Sequence, residues 1–173
     1  MKEKLVLIGN GMAGVRTLEE LIKLVPDKYD ITVFGAEPHG NYNRILLSPV
    51  LAGEKSFNDI VINDDGWYAG HGITLHKGKK VVKIDRKQRL VIADDGTTEA
   101  YSRLLLATGS NPFILPVPGK ELEGVIGFRD IHDVQRMLEA ARNGKHAVVI
   151  GGGLLGLEAA NGLVKQGDRK SVV

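Results

Sequence analysis

Lys4-Leu5-Val6-Leu7-Ile8-Gly9-Asn10-Gly11-Met12-Ala13-Gly14 decides the fold of this chain. An apolar run that ends abruptly in glycine reads as a buried parallel strand, because such a strand has no solvent face to make polar. The three glycines then have separate tasks in the strand-to-helix turn. Gly9 permits the tight turn, Gly11 lets a diphosphate approach main chain that a side chain would cover, and Gly14 lets helix and strand pack closely. Met12 and Ala13 open the helix, whose first N–H groups and partial positive charge face the anion. From Met12 to Leu24 the apolar residues Leu18, Leu21, Ile22 and Val25 share one face, and Pro26 stops the helix. A second strand, Asp30 to Phe34, completes a βαβ unit.

The same pattern recurs near the other end. His146 to Ile150 reads as a strand, Gly151-Gly152-Gly153-Leu154-Leu155-Gly156 as a glycine turn, and Leu157 to Gln166 as a helix. Two such turns imply two dinucleotides, the second on Gly151, Gly153, Leu154, Leu155 and Gly156. Ahead of it, Ile131 to Arg142 is expected to be a helix with Ile131, Val134, Leu138 and Ala141 inward and Asn143-Gly144 as its stop.

Between the two turns the texture changes. Residues 38 to 72 are rich in Gly, Asn, Asp and Pro and suggest loops and short helices. Ile73 to His76, Val81 to Asp85 and Arg89 to Ala93 read as short strands, with Asp94-Asp95-Gly96 turning the last into Thr97 to Tyr101. A small antiparallel sheet inserted into the α/β frame is expected from these. Arg103 to Ala107 returns to a buried strand, and Pro112, Pro116 and Pro118 then stiffen a linker. The expected class is therefore α/β, with two Rossmann-like dinucleotide-binding folds, the first carrying the inserted sheet and the second truncated. The expected domains are 1–118 and 119–173.

Bulk properties exclude other chemistry. Lys plus Arg is 23 and Asp plus Glu is 21, a net charge of +2, and the basic residues, Lys77, Lys79 and Lys80 included, form no long run, so no nucleic-acid footprint is expected. The longest apolar runs fall far short of the roughly 20 residues of a membrane helix, and no signal-peptide core precedes Gly9, so a cytoplasmic location is the default expectation. Cysteine is absent, which removes a redox disulfide and a cysteine-ligated cluster from these residues. The five histidines show no metal spacing, so no metal is expected. Ser48, Ser110 and Trp67 lack the context of a nucleophile or a nucleic-acid platform.

Three further side chains are candidates. Glu37, 23 residues after Gly14, is the acidic residue expected near the ribose hydroxyls, although the usual position directly after the second strand is Gly35. The other reading of Glu37 is a solvated loop carboxylate. Arg44 could pair with a diphosphate or lie on the surface. Glu158, two residues inside the expected second helix, either favours the helix dipole or stands beside a nicotinamide.

With both glycine turns, the intervening sheet and Leu105-Leu106-Ala107-Thr108-Gly109-Ser110, the chain resembles the FAD-dependent pyridine nucleotide-disulfide oxidoreductases, in the class without a redox disulfide. More narrowly, residues 34–48 and 151–160 resemble the N-terminal flavoprotein region of the large subunit of assimilatory NAD(P)H nitrite reductases. Rubredoxin and ferredoxin reductases are similar. The resemblance implies FAD extended over Gly9 to Gly14, with Glu37 at the adenosine ribose, Arg44 and Ser48 near the flavin and diphosphate, the Val81 main chain at the adenine edge, and Ala107, Thr108 and Gly109 where the cofactor crosses. It implies NAD(P)H on the second turn, with Glu158 catalytic beside the nicotinamide. Electrons would leave to a redox protein or a downstream redox domain, with siroheme and an iron–sulfur cluster only if such a region exists; a homodimer stays open. The small iron–sulfur reductases tend to carry lysine after this serine, whereas Pro49 follows Ser48 here. The residue choosing NADH or NADPH would lie beyond Val173, and the adjacent cations Arg169 and Lys170 stand where a strand should start. A chain of this extent would leave apolar faces uncovered, predicting poor solubility. A dinucleotide-binding module without turnover is the remaining alternative.

Overall fold

The computed structural model of the chain describes residues 2–144, 146–167 and 170–172, the last three as main chain only. Two compact units form, Met1–Tyr42 with Val61–Gly109, and Asn43–Ile60 with Ser110–Val173.

The first unit is built on β1 (Glu3–Ile8), α1 (Met12–Leu24) and β2 (Tyr29–Gly35). A short β3 (Asn41–Tyr42) precedes the departure into the second unit, where α2 (Leu47–Leu51) follows a single 3-10 turn. The chain returns with β4 (Val61–Asn63), antiparallel to β3, then α3 (Asp65–Gly70), β5 (Thr74–Lys77), β6 (Val81–Asp85), β7 (Leu90–Ala93), β8 (Thr98–Ala100) and β9 (Arg103–Leu106). Four strands make an all-parallel sheet in the order β5-β2-β1-β9, with Leu7 opposite Val33 on one side and Leu105 on the other.

Successive side chains of a strand point to opposite faces, and β1 uses both. Leu5 and Leu7 join Leu18 of α1, Ile31, Val33, Tyr68 and Ile73 in one buried cluster. Val6 and Ile8 join Phe34, Val91 and Ala93 in another, against the antiparallel sheet β6-β7-β8. Each fully buried aliphatic side chain contributes about 1.5–3 kcal/mol, so the continuous run Leu5-Val6-Leu7-Ile8 fixes β1 in mid-sheet. The small sheet has three strands, not the four expected from sequence. Ile73 to His76 belongs instead to the parallel sheet, where Thr74–Lys77 pairs with Thr32–Gly35. The reason is burial: Ile73 is held in the α1-facing cluster and Leu75 packs against it.

The second unit contains α2, α4 (Ile131–Arg142), β10 (Ala147–Val149), α5 (Leu154–Lys165) and β11 (Lys170–Val172), with β10 and β11 parallel. A capping box starts α4, with the Asp130 side chain accepting from the Asp133 N–H at 2.9 Å and Asp133 reaching back to the Asp130 N–H. Ile131, Val134 and Met137 are its buried residues, whereas Leu138 and Ala141 are only half-buried. The α5 helix begins three residues earlier than expected, because Gly153 adopts the extended cap and its carbonyl accepts the first helical bond from the Leu157 N–H at 3.0 Å. The α2 and α5 helices pack so closely that a Cβ on Gly162 would lie 2.8 Å from Leu51 Cγ. Lys170 lies within β11; Arg169, with Asp168 and Val173, lies outside the described residues.

Candidate dinucleotide-binding sites

In the first unit, Gly9 has φ +109°, a conformation that L side chains rarely adopt, and an added Cβ would lie 2.1 Å from the Ala107 carbonyl oxygen and 3.0 Å from Thr108 N. Two hydrogen bonds fix the turn in place. Gly9 N–H donates to Phe34 O, and Ala107 N–H donates to Ile8 O, both at 2.9 Å. The expected site residues Gly9, Ala107 and Thr108 are therefore in mutual contact, with Gly109 next at φ +72°. Gly14 fills the packing role: its Cβ would lie 2.9 Å from Gly9 O and 3.0 Å from both Ala107 Cβ and Leu7 Cδ1.

Gly11 is different. Nothing lies within 4 Å of the Cβ it lacks, and it caps α1 in extended conformation with no side-chain hydrogen bond to the helix. Met12 and Ala13 thus start a helix whose first turn holds no acidic residue. Open space, main-chain N–H groups and the positive end of a helix macrodipole are what a diphosphate requires.

The second unit repeats this arrangement. Gly151 has φ +122°, Gly153 caps α5 in extended conformation without a side-chain bond, and nothing lies within 4 Å of a Cβ on either. Gly156 is the packing residue, its Cβ falling 1.9 Å from Gly151 O. Leu154 and Leu155 open the helix and are exposed.

Side chains refine each site. Glu37 is half-buried, and Tyr42 Oη donates to its Oε2 at 2.7 Å. Gly35, the position directly after β2, is closed to any side chain, since a Cβ there would meet Asn10 Cβ at 2.9 Å. Asn10 is held in turn by donating from Nδ2 to His39 O at 3.2 Å and accepting at Oδ1 from Tyr68 Oη at 2.6 Å. Burial pushes the Tyr68 phenol up to about 12, partly offset by its bond to Asn10. Val81 starts β6 opposite Ala93 and packs against the Val6, Ile8 and Phe34 cluster.

The remaining expected residues lie in the second unit. Ser48 Oγ donates to Glu158 Oε2 at 2.5 Å, joining two candidates 110 residues apart. Glu158 is the fifth residue of α5 rather than one just inside its start, so it stands beyond the first turn, where the dipole acts most strongly. Arg44 donates to Arg129 O at 3.3 Å, and Arg129 Nε to Ser110 O at 3.2 Å. Sequence reasoning missed Asn10, Tyr42 and Tyr68. The one available signal was a large polar residue, Asn10, between the first two glycines, where the second turn has Gly152.

Among the described residues no group of three or more His, Asp or Glu side chains could hold a metal, and no helix is long and apolar enough to cross a membrane.

The chain matches the sequence pattern of the pyridine nucleotide-disulphide oxidoreductases over residues 3–173. It is 53% identical over 172 residues to the NAD(P)H nitrite reductase of Bacillus subtilis (strain 168), an alignment covering 99% of this chain and 21% of that protein. The assimilatory nitrate reductase electron transfer subunit of the same organism is also 53% identical over 172 residues, with 99% and 22% covered. Among solved structures, NADH:rubredoxin oxidoreductase from Clostridium acetobutylicum superimposes with a TM-score of 0.88 at 27% identity, over 99% of this chain and 44% of that one. The chain spans about a fifth of the length of these two relatives. Although the family is named for a disulphide, the sequence contains no cysteine. With the pattern carried from residue 3 to residue 173 and both glycine turns formed, the chain belongs to the pyridine nucleotide-disulphide oxidoreductase family.

Proposed function

We propose that this chain is the flavoprotein part of an NAD(P)H-dependent reductase that supplies electrons for nitrite reduction, with FAD on the first glycine turn and NAD(P)H on the second. The observation that carries this reading is the repetition of one geometry, in which an open, uncapped glycine starts the helix at both Gly11 and Gly153. Bound there, FAD would supply the capacity to accept hydride from a reduced nicotinamide and to pass electrons on singly or in pairs.

The chain's own residues bind and orient. Gly9, Gly11, Met12, Ala13 and Gly14 hold the FAD diphosphate, and Glu37 accepts from the adenosine ribose. Val81 offers main chain to the adenine, and Ala107, Thr108 and Gly109 line the crossing. Gly151, Gly153, Leu154, Leu155 and Gly156 hold the NAD(P)H diphosphate. Arg44 and Ser48 serve the flavin end, and Glu158, oriented by Ser48, faces the nicotinamide. The functional division falls at 118/119, FAD-binding before it and the start of NAD(P)H-binding after it. With no cysteine available, any siroheme or iron–sulfur centre must belong to a further domain or a partner redox protein. A cytoplasmic location fits soluble nicotinamide substrates.

The two relatives 53% identical to this chain, one named a nitrite reductase and the other an electron transfer subunit of nitrate assimilation, support this destination. A second reading, reduction of rubredoxin or ferredoxin, is favoured by the superposition on NADH:rubredoxin oxidoreductase. Pro49 in place of a lysine counts against it.

The test is spectroscopic. The purified protein should carry flavin absorption that NAD(P)H bleaches, and Gly11→Val should weaken FAD binding by about a hundredfold. A colourless protein that FAD cannot reconstitute, or a Gly11→Val variant with unchanged affinity, overturns the flavin reading. Flavin bleached by NAD(P)H but reoxidised by rubredoxin and not by a nitrite-reducing centre overturns the destination alone.

A further inference from the structure

The sequence leaves a difficulty at the adenosine end of the first site. The carboxylate for a ribose normally follows the second strand directly, but that position is Gly35, and the Asn10 side chain occupies the space a Cβ would need. The only acidic residue in the loop is Glu37, two positions further on. A loop carboxylate with a free rotamer is a poor acceptor for a diol, since each binding event would have to order it.

We propose that Tyr42 is the positioning residue that makes Glu37 an adenosine-ribose acceptor, a proposal that rests on the FAD reading of the first turn. Several hydrogen bonds hold the Glu37 loop. Lys79 N–H donates to Gly35 O at 2.9 Å and Gly78 N–H donates to Glu37 O at 3.0 Å, which fixes the main chain on both sides of Ala36. Tyr42 Oη donates to Glu37 Oε2 at 2.7 Å, which fixes the side chain.

Tyr42 itself is buried and anchored. It is 4% exposed, lies in β3 opposite Val61, and neighbours Asn41, whose Nδ2 donates to Asn63 Oδ1 at 2.9 Å. Asn63 in turn donates to Glu19 Oε1 of α1 at 3.1 Å. The phenol is thus tied through β3 and β4 to the same helix whose N-terminus forms the first glycine turn. A carboxylate has about four acceptor lobes; the Tyr42 hydroxyl takes one and sets the plane in which the others lie. Tyr42 contributes orientation, and Glu37 makes the contact.

FAD titration of the purified apoprotein tests this with four proteins, wild type, Tyr42→Phe, Glu37→Gln and the double variant, and with two ligands, FAD and an FAD analogue lacking both adenosine ribose hydroxyls. A hydrogen bond to a charged group that pre-organises a contact is lost in Tyr42→Phe, so FAD affinity should fall by about tenfold. Glu37→Gln should fall at least as far, and the double variant should match Glu37→Gln alone. The analogue should bind wild type and Tyr42→Phe equally. Wild-type FAD affinity in Tyr42→Phe beside a weakened Glu37→Gln overturns the proposal. So does a tenfold loss that persists with the analogue or adds to that of Glu37→Gln, since this would mark a packing role. Unchanged affinity in Glu37→Gln removes the ribose role of Glu37 and the proposal with it. Absence of FAD binding by the wild type instead removes the flavin reading itself.

Discussion

The two glycine turns share one local conformation and differ in what surrounds it. Gly9 and Gly151 have φ of +109° and +122°, and the caps at Gly11 and Gly153 have ψ of 175° and 174°. Their supports are unlike. The strand before Gly9 lies between two parallel neighbours, β2 and β9, and Leu7 is 0% exposed. The strand before Gly151 pairs with β11 alone among the described residues, and Val148 is 65% exposed. The shared conformation therefore comes from glycine and helix-capping preferences written in six residues, whereas rigidity comes from the sheet. The side-chain props differ too. Asn10 braces the first turn through Tyr68, and its counterpart Gly152 has no side chain. On the helices, Glu158 is bound by Ser48, while its counterpart Arg16 pairs with Glu19 and Glu20 of its own helix.

This contrast predicts unequal responses to equal substitutions, beginning with the first glycine of each turn. Gly9→Ala combines positive-φ strain with a main-chain clash and should destabilise by about 4 kcal/mol, whereas Gly151→Ala suffers only strain and should cost about 1–2 kcal/mol. Urea unfolding measures both, and equal losses would show that the sheet around Gly9 relaxes freely.

The middle glycines should behave alike in stability and apart in ligand choice. Gly11→Val and Gly153→Val leave the fold intact, because both positions are open, yet each should weaken one dinucleotide by about a hundredfold, a loss of the order of 3 kcal/mol. FAD titration should respond to the first variant and NAD(P)H titration to the second. A crossed response would reverse the assignment of the two sites.

The helix counterparts come next. A double-mutant cycle with Ser48→Ala and Glu158→Gln should give a coupling of about 1.5 kcal/mol in unfolding experiments, as for a hydrogen bond to a charged group. Arg16→Ala, an exposed pair, should change stability by less than about 0.5 kcal/mol. A negligible Ser48–Glu158 coupling would erase this difference between the helices.

A further expected effect is a pH dependence confined to the first turn. Tyr68 ionises near 10.0 in an unfolded chain and at about 12 when folded. Between these values the unfolded chain holds fewer protons, so the stabilisation is complete below pH 10 and declines as pH rises through the folded value. Wild-type stability should lose roughly 1 kcal/mol more than Tyr68→Phe between about pH 9 and pH 11. Parallel pH profiles for the two proteins would show that the phenol is not buried in solution.

What could be read from the sequence follows the same division. The turns, α1 at Met12–Leu24 and α4 at Ile131–Arg142 were legible because glycine spacing, caps and apolar periodicity are local. The partner of β5 was not, since Thr74 pairs with Thr32 across the sheet and a short apolar strand carries no mark of which neighbour it takes. Nor could the sequence reveal that Glu37 is bound by Tyr42, or that Ser48 meets Glu158. Each depends on a hydroxyl and a carboxylate brought together by packing decided elsewhere.

The close approach of α2 to α5 has a consequence for the order of assembly. Ser48, Leu51 and Glu54 meet Glu158, Gly162 and Lys165, partners about 110 residues ahead in synthesis. Residues 61–109 return to the first unit in between. During translation the parallel sheet can therefore close once β9 has emerged, while the apolar side of α2 waits for α4 and α5, which both pack on it, to be made. That interval is the vulnerable stage of biogenesis, when Leu47, Val50 and Leu51 are available to chaperones and to aggregation. Because each unit is interrupted by the other in the chain, no single cleavage point yields either one whole.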